Sequence, residues 1–197
     1  MKRKLCSALA LTLMVMLTGC SGSSNLEEGT YTPYVHGTKL DNMSITILTD
    51  GTGYDAIDSK FEWDMSGGQF NTAPIDSRDI GAGLFYSKSR GNNLKCKNGY
   101  IVVNEKKLSG KIPNGDTFDT TVQYYDFDDL HFLDNGTLIV SNQNDPSDSE
   151  TYTYKRQGDF IVTDYCEFTG ETAYFLVIDG TIYPDYYCPE SKLPDDT

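Results

Sequence analysis

Cysteine and histidine are the side chains here that could act as nucleophile, base or metal ligand, and both types are scarce. The 197 residues include five Cys and two His, which are His36 and His131. The chain contains no HExxH, GxSxG, P-loop or dinucleotide-binding pattern, and no two Cys have a zinc-like spacing. His131 falls on a predicted strand, where we expect a surface or hydrogen-bonded residue, and no spacing supports a nucleophile built from Cys96 or Cys166. The sequence therefore predicts no enzyme activity, no cofactor and no metal site.

Acidic side chains are concentrated around one predicted turn and the loop that follows it. They are Asp126, Asp128, Asp129, Asp134, Asp145, Asp148 and Glu150. Calcium takes roughly six to eight oxygen ligands, but the spacing of an EF-hand loop is absent. A solvated acidic edge is the favoured interpretation. The alternative is a glycan-active hydrolase whose paired carboxylates belong to no recognised motif.

Tyrosines form the third chemically suggestive group. Tyr124 and Tyr125 are adjacent, and Tyr183, Tyr186 and Tyr187 crowd the last predicted strand. A tyrosine offers a flat apolar face with a polar tip, which suits binding sites. We therefore predict that these five residues contribute to a ligand-binding surface, with packing between strands as the alternative.

The elements that would position these groups are strands. After the first 20 residues no window shows a sustained apolar stripe of helical period. Short runs rich in β-branched and aromatic residues instead alternate with Asp-Gly, Asn-Gly and Gly-Gly pairs. Strands are predicted at 43–49, 60–65, 69–73, 94–97, 100–104, 130–133, 138–141, 151–156, 160–168, 173–178 and 181–187.

The Asp-Gly pair at 179–180 is the clearest hairpin signal. A two-residue type I′ turn suits the twist of the flanking strands. It places Ile178 opposite Thr181 and, if both strands continue, Ala173 opposite Tyr186.

The order of signals along the chain repeats, which suggests an internal duplication. The matching segments are 45–52 with 130–137, 61–63 with 152–154, 68–70 with 158–160, and 98–101 with 179–182. The second copy has Tyr154 in place of Trp63 and Leu138 in place of Gly53. We predict two repeats, at about residues 29–108 and 120–190, although turns in any all-β chain could match by chance.

A run ending in Asp-Gly-Thr-Gly at 50–53, an aromatic-x-Trp strand at 61–63 and a Gly-Gly pair at 67–68 follow one another. This pattern resembles the small lipocalin-like β-domains of many bacterial lipoproteins. The expected fold is all-β: an antiparallel meander that forms either a lipocalin-like barrel or two small curved sheets from the weak internal duplication. Small barrels either fill with side chains or hold one small ligand.

The N-terminal segment has the organisation of an export signal. Residues 2–4 are Lys, Arg and Lys, and residues 5–17 carry no charge. A membrane-spanning helix needs roughly 20 apolar residues, so this shorter run fits the apolar core of a signal peptide.

The segment Leu17-Thr18-Gly19-Cys20 resembles the lipobox of bacterial lipoproteins. In that family the Cys thiol receives a diacylglyceryl group, a peptidase cuts before the Cys, and the new amino group is often acylated. The resemblance implies cleavage after Gly19, a lipid anchor (palmitate among its acyl chains) on Cys20, and a location on the extracytoplasmic face of the cell membrane. Two or more acyl chains hold a protein stably on a membrane, whereas a single acyl chain gives only marginal membrane binding.

The expected organisation is therefore a signal peptide at 1–19, a lipidated Cys and flexible tether at 20–28, and an all-β domain at 29–197. Without residues 1–19, the chain has 13 basic and 29 acidic residues, a formal charge of −16. This excess of acid argues against nucleic acid as a partner and against direct attraction to anionic lipid headgroups.

Export also permits a disulfide. Cys6 is lost with the signal and Cys20 carries lipid, which leaves Cys96, Cys166 and Cys188. If a second tight turn precedes residue 173, Cys166 and Cys188 lie on strands either side of it, two residues apart in register. We predict that these two pair and that Cys96 keeps its thiol.

These observations together favour a membrane-anchored, non-enzymatic lipoprotein that binds a ligand or an envelope protein. The alternatives are the glycan-active hydrolase described above and a purely structural envelope protein.

Overall fold

The strands form two antiparallel sheets in the computed structural model, which describes residues 26–74, 93–124, 128–166 and 171–194. The first sheet contains β1 (Gly29–Val35), β2 (Thr38–Lys39), β3 (Ile45–Ile47), β4 (Thr52–Tyr54), β5 (Lys60–Asp64), β6 (Asn71–Pro74), β7 (Leu94–Lys97), β8 (Tyr100–Val103) and β16 (Tyr186–Pro189). The second contains β9 (Thr120–Tyr124), β10 (Asp128–Phe132), β11 (Thr137–Asn142), β12 (Asp145–Gln157), β13 (Phe160–Thr163), β14 (Ala173–Ile178) and β15 (Thr181–Tyr183). The all-β, antiparallel fold class is confirmed.

The first sheet curls into a nearly closed barrel. Its strand order is β6-β5-β4-β3-β1-β16-β8-β7, with β2 paired to β1. The strands at the two ends of this order, β6 and β7, lie close together. Phe70, which precedes β6, donates its N–H to the carbonyl of Leu94, the first residue of β7, at 2.9 Å.

The second sheet is a meander in chain order from β9 to β15, and it also curls. The segment at residues 108–112 lies between its two end strands. The Leu108 N–H donates to the Ile182 carbonyl at 2.9 Å, and the Gln123 N–H donates to the Ser109 carbonyl at 3.0 Å. This segment therefore joins β15 to β9.

The core has three layers. One cluster of apolar side chains fills the first sheet, a second fills the second sheet, and a third lies between the two sheets. Strand β8 contributes to two of these layers. Ile101 and Val103 belong to the interior of the first sheet, whereas Tyr100 and Val102 belong to the layer between the sheets. Because both faces of such strands are buried, their sequences lose the apolar–polar alternation of a one-sided sheet.

Most predicted strands are found where expected, and the predicted ranges of β7 and β14 agree with the structure. Strands β1, β2, β4 and β9 were not predicted. The predicted strand at 181–187 is two strands, because Pro184 lacks the N–H that a continuing ladder needs and the chain crosses to the other sheet. The Ile178–Thr181 pairing is confirmed, but the Ala173–Tyr186 pairing is wrong.

The predicted Cys166–Cys188 disulfide is also wrong. Among the described residues, Cys96, Cys166 and Cys188 all carry thiols. Cys188 lies on β16 in the first sheet, opposite Thr32, whereas Cys166 follows β13 in the second sheet. The predicted register does not form, because β15 and β16 belong to different sheets and are not one strand.

The two sheets make the same hydrogen bonds at the positions that the sequence comparison paired. The Leu48 N–H donates to the Thr52 carbonyl at 2.8 Å, and the Leu133 N–H donates to the Thr137 carbonyl at 2.8 Å. Each turn is also capped by its carboxylate or amide: Asp50 Oδ1 accepts from the Thr52 N–H, as Asn135 Oδ1 does from the Thr137 N–H.

Trp63 and Tyr154 occupy equivalent places in the two sheets. The Trp63 indole N–H donates to the Leu48 carbonyl at 3.2 Å, and the Tyr154 hydroxyl donates to the Leu133 carbonyl at 2.6 Å.

One predicted match between the repeats is shifted by a single residue. Trp63 pairs with Thr72 and Tyr154 pairs with Thr163, so Phe70 corresponds to Ile161 rather than to Phe160. The burial agrees, because Phe70 and Ile161 each fill the interior of their own sheet, whereas Phe160 lies between the sheets. A one-residue slip in a strand moves a side chain to the opposite face.

Candidate functional site

The structure does not bring the predicted tyrosines together. Tyr124 lies inside the second sheet, Tyr187 inside the first, and Tyr183 and Tyr186 between the two. Each of these four side chains is at most 2% exposed. Tyr186 stacks on Tyr34 with ring centroids 4.7 Å apart, and its hydroxyl donates to the Tyr174 carbonyl at 2.9 Å. The predicted Tyr125 lies outside the described residues, and the other four form no common binding surface.

His36 lies at the junction of the two sheets. It follows β1 with a φ of 51°, and Gly37 follows it with a φ of 76°, so the pair forms a tight turn. The His36 N–H donates to Asp185 Oδ1 at 2.8 Å, and His36 Nδ1 lies 3.1 Å from the Tyr124 hydroxyl. A Cβ on Gly37 would lie 3.2 Å from Ala173 Cβ, so only glycine fits this close approach without adjustment. The arrangement fastens β1 to the second sheet.

The thiols are poorly suited to nucleophilic chemistry. Burial raises the pKa of the Cys188 thiol to about 12, and burial also raises the pKa of the Cys96 thiol. Since the thiolate is the nucleophile, both thiols are less reactive near neutral pH than an exposed cysteine. The Cys166 Sγ lies 3.1 Å from the Thr38 Oγ1, a second contact between the sheets.

His131 is on β10, as predicted, and its Nε2 lies 3.0 Å from Asp119 Oδ1 at an exposed position. Across the ranges that the structure describes, no group of three or more His, Cys, Asp or Glu could hold a metal ion. Within the same ranges, no helix has the length and hydropathy that a membrane span requires.

Apart from Asp134, which lies in the turn between β10 and β11, the described acidic residues of this group lie on β10 and β12, the two strands that flank β11. Asp128 and Asp129 begin β10, and Asp145, Asp148 and Glu150 are on β12. Asp126 falls outside the described residues. Strands β10 and β11 are adjacent, with Asp129 opposite Ser141, so these carboxylates share one end of the second sheet.

The most unusual element is the hairpin of β11 and β12, whose tip we call the arm (residues 141–151). Strand β12 has 13 residues, where a typical strand has about 5 or 6. In the arm, Ser141 pairs with Ser149 and Asn142 pairs with Asp145, with an irregularity in the register between them. The exposed side chains are Gln143, Asn144, Asp145, Ser147, Asp148, Ser149, Glu150 and Thr151.

Short polar contacts order the arm. The Gln143 amide donates to Asp129 Oδ1 at 2.8 Å, which ties the tip to β10. The Ser147 hydroxyl donates to Asp145 Oδ1, which lowers the pKa of that carboxyl. At the base, the Tyr152 hydroxyl donates to the Glu150 carboxylate, which raises the Tyr152 pKa to about 12.

Grooves on the described surface are open and partly polar. One of about 320 Å³ runs beside Asp50, Glu62, Asp64 and Asn71. Another, of about 340 Å³, lies between the start of β1 and the end of β16. Most of the residues that line these two grooves are at least partly exposed, but Tyr31, which lines the second groove, belongs to the interior cluster of the first sheet.

Sequence reasoning found the acidic residues of the arm but placed them on a loop. The signal that could have identified a strand is weak, because the arm alternates no apolar residues with polar ones. Compared with protein-family models, with curated proteins and with solved structures, the chain matches none of them.

Proposed function

We propose that this chain is a lipoprotein on the extracytoplasmic face of the cell membrane, anchored through lipid on Cys20, whose β-domain binds an envelope protein without catalysing a reaction. The N-terminal signal and lipobox support the anchor, although Cys20 lies outside the described residues. The observation that carries the binding role is the arm, an exposed polar hairpin that adds nothing to the core.

The interiors favour a protein partner over a small ligand. Large side chains such as Phe61, Phe70, Phe132 and Phe175 are fully buried inside the two sheets. Barrels of this size either fill with side chains or hold one small molecule, and the described interiors of both sheets are occupied by large side chains. Recognition is therefore assigned to the outer surface.

The arm is costly to maintain for stability alone. Ordering a residue opposes folding by about 1–2 kcal/mol of backbone entropy. The arm contains no large apolar side chain that could offset this through burial. An isolated two-stranded hairpin is marginally stable at best. An ordered, exposed hairpin that contributes nothing to the core favours a role in contact with another molecule.

The charge of the arm indicates the chemistry of the partner. The arm carries Asp145, Asp148 and Glu150 and no basic residue, next to Asp128 and Asp129 on β10. Complementary charge speeds encounter and discriminates between partners. The partner surface is therefore expected to be basic.

The experiment is site-specific photo-crosslinking in intact cells of the source bacterium. A photoreactive residue replaces Asp148 in the arm or, as the matched control, Asn114, which is exposed outside it. The proposal predicts a discrete crosslinked protein from position 148 and none of that mass from position 114.

A second comparison tests the charge. With the photoreactive residue at position 148, Asp145→Asn and Glu150→Gln together should remove the crosslink, whereas Asp58→Asn and Glu190→Gln, which remove the same charge elsewhere, should retain it. Equal crosslinking from both positions, or none from position 148, contradicts the proposal.

A further inference from the structure

Each sheet is completed by a closing segment that pairs with the first and the last strand, in chain order, of its repeat. In the first sheet β16 lies between β1 and β8, with Cys188 opposite Thr32 and Tyr187 opposite Ile101. In the second sheet the segment at 108–112 lies between β15 and β9. There the Leu108 N–H donates to the Ile182 carbonyl, and Ser109 bridges to Gln123.

The two closing segments occupy equivalent places. Tyr31 pairs with Ile45 as Val122 pairs with Leu130, so the next residues along, Thr32 and Gln123, correspond. Their partners Cys188 and Ser109 then correspond as well.

It follows that Tyr187 and Leu108, which precede those partners, also correspond. Both side chains point into their own sheet and are buried, at 1% and 5% exposure.

The order of these pieces along the chain differs between the two sheets. In the second sheet the closing segment precedes its strands, from residue 108 to residue 183. In the first sheet the equivalent segment, β16, comes from the C-terminal end of the chain, after the second sheet is complete. The first sheet therefore takes its closing strand from the end of the chain, whereas the second sheet takes its closing segment from just before its own strands. As a result, the first sheet contains strands from residues 29–103 and also β16 from residues 186–189.

A single connection joins residues 26–103 to the remainder. It is a short 3₁₀ turn, Asn104–Lys106, followed by the exposed Lys107. Every other contact between the two parts is noncovalent, including the β16 pairings and the layer of side chains between the sheets.

We propose that the part of the chain from residue 108 onwards, which carries β16, is exchangeable, and that two copies of this chain form a dimer in which β16 of each copy pairs with β1 and β8 of the other. Such a dimer reproduces every strand pair of the monomer and changes only the path of the connection at 104–107. Exchange of identical elements is a low-cost route to dimers for this reason. The slot between β1 and β8 is accordingly an interaction surface, and its partner is a second copy of the chain.

The test traps β16 against β1 with a disulfide. Cα atoms directly opposite on antiparallel strands lie roughly 4.5–5.5 Å apart, within the range for a disulfide. The chain from residue 20 is made with Thr32→Cys in a background of Cys20→Ser, Cys96→Ser and Cys166→Ser, which leaves Cys188 as the partner thiol. It is unfolded, refolded over a hundredfold range of protein concentration, and oxidised with glutathione disulfide.

The proposal predicts two products on a non-reducing gel: an internally bonded monomer and a covalent dimer. Their dimer-to-monomer ratio should rise about tenfold for each tenfold rise in concentration during refolding, by mass action. The control is the same background with Cys188→Ala, which has a single thiol, at position 32. It should give much less covalent dimer than the chain that contains Cys188.

Monomer alone at every concentration overturns the proposal, as does an equal dimer yield from the Cys188→Ala control. The chain that keeps Thr32 allows the dimer to be detected without an engineered thiol at that position. After refolding at the highest concentration it should contain a dimer by size-exclusion chromatography that persists on dilution, because separation requires unfolding. A monomer alone in that measurement overturns the proposal too.

Discussion

The buried tyrosines among the described residues pack in the core, and several of them make internal hydrogen bonds. Tyr154 shows the pattern: its hydroxyl accepts from the Phe118 N–H at 3.0 Å and donates to the Leu133 carbonyl. Tyr100 likewise donates to Asp159 Oδ2 at 2.9 Å. A buried tyrosine is tolerated when its hydroxyl finds such a partner. The sequence showed that tyrosines are abundant, but their position relative to three separate core layers depends on the topology.

Alkaline pH should destabilise the fold because buried tyrosines and a buried thiol must stay neutral. Burial raises the pKa of Tyr31 to about 12, raises that of Cys188 to about 12, and holds that of Tyr186 well above its usual range. In the unfolded chain these groups ionise near pH 10 for Tyr and 8.5 for Cys. Since the folded values are higher, their stabilisation is complete below about pH 8.5 and is lost as the pH rises towards 12.

Urea titrations from pH 7 to pH 12 would check this expectation. The free energy of unfolding should fall above about pH 9, and tyrosinate absorbance from the buried rings should appear together with unfolding. Tyr186→Phe should be less stable at pH 7, because the hydroxyl bonds the Tyr174 carbonyl, but its stability should fall less steeply with pH. Full tyrosine ionisation near pH 10 in a protein that is still folded would contradict the burial.

At the scale of elements, the two repeats differ most at Gly53, whose place in the second sheet is taken by Leu138. Gly53 pairs with Phe61, and Leu138 pairs with Tyr152. Phe61 is fully buried, whereas Tyr152 is only partly buried. In the first sheet, Gly53 leaves space for the Phe61 ring to pack in the interior. In the second sheet, Leu138 occupies that space, and the Tyr152 ring opposite it is only partly buried.

Gly53→Ala should therefore destabilise the protein. An added Cβ would lie 2.5 Å from Phe61 Cζ and 2.6 Å from the Thr46 carbonyl oxygen, closer than packing allows. Overpacking of this kind costs about 1–3 kcal/mol in the free energy of unfolding. Urea denaturation measures the cost, and Phe61→Leu in the same chain should recover part of it, because the two positions are coupled. A loss below about 0.5 kcal/mol would mean that Phe61 does not pack over Gly53.

Local patterns predicted elements with strong turn chemistry well. The pairs Asn98-Gly99 and Asp179-Gly180 all have positive φ and form the two-residue turns that such sequences favour. Local patterns were less successful for elements whose formation depends on contacts with distant parts of the chain. Strand β4 contains a glycine, and the separation of β15 from β16 depends on which sheet offers the next partner.

At the scale of the whole molecule, the repeat suggested by the sequence corresponds to two sheets with matching turns. What sequence could not supply was the closure of each sheet, because β16 and the segment at 108–112 find partners far away along the chain. The arm was equally hard to foresee, since an exposed hairpin needs no apolar periodicity. The candidate site thus depends on topology more than on any residue pattern.

The proposed function rests first on the anchor, so the most direct measurement is the mass of the mature N-terminal peptide. The full chain is expressed in its bacterium, the membrane fraction is isolated, and the N-terminal peptide is analysed by mass spectrometry. The proposed anchor predicts a peptide that begins at Cys20 and carries a diacylglyceryl group, and a Cys20→Ala variant that is neither lipidated nor held in that fraction. A mature chain that begins elsewhere, or an unmodified Cys20, would contradict it.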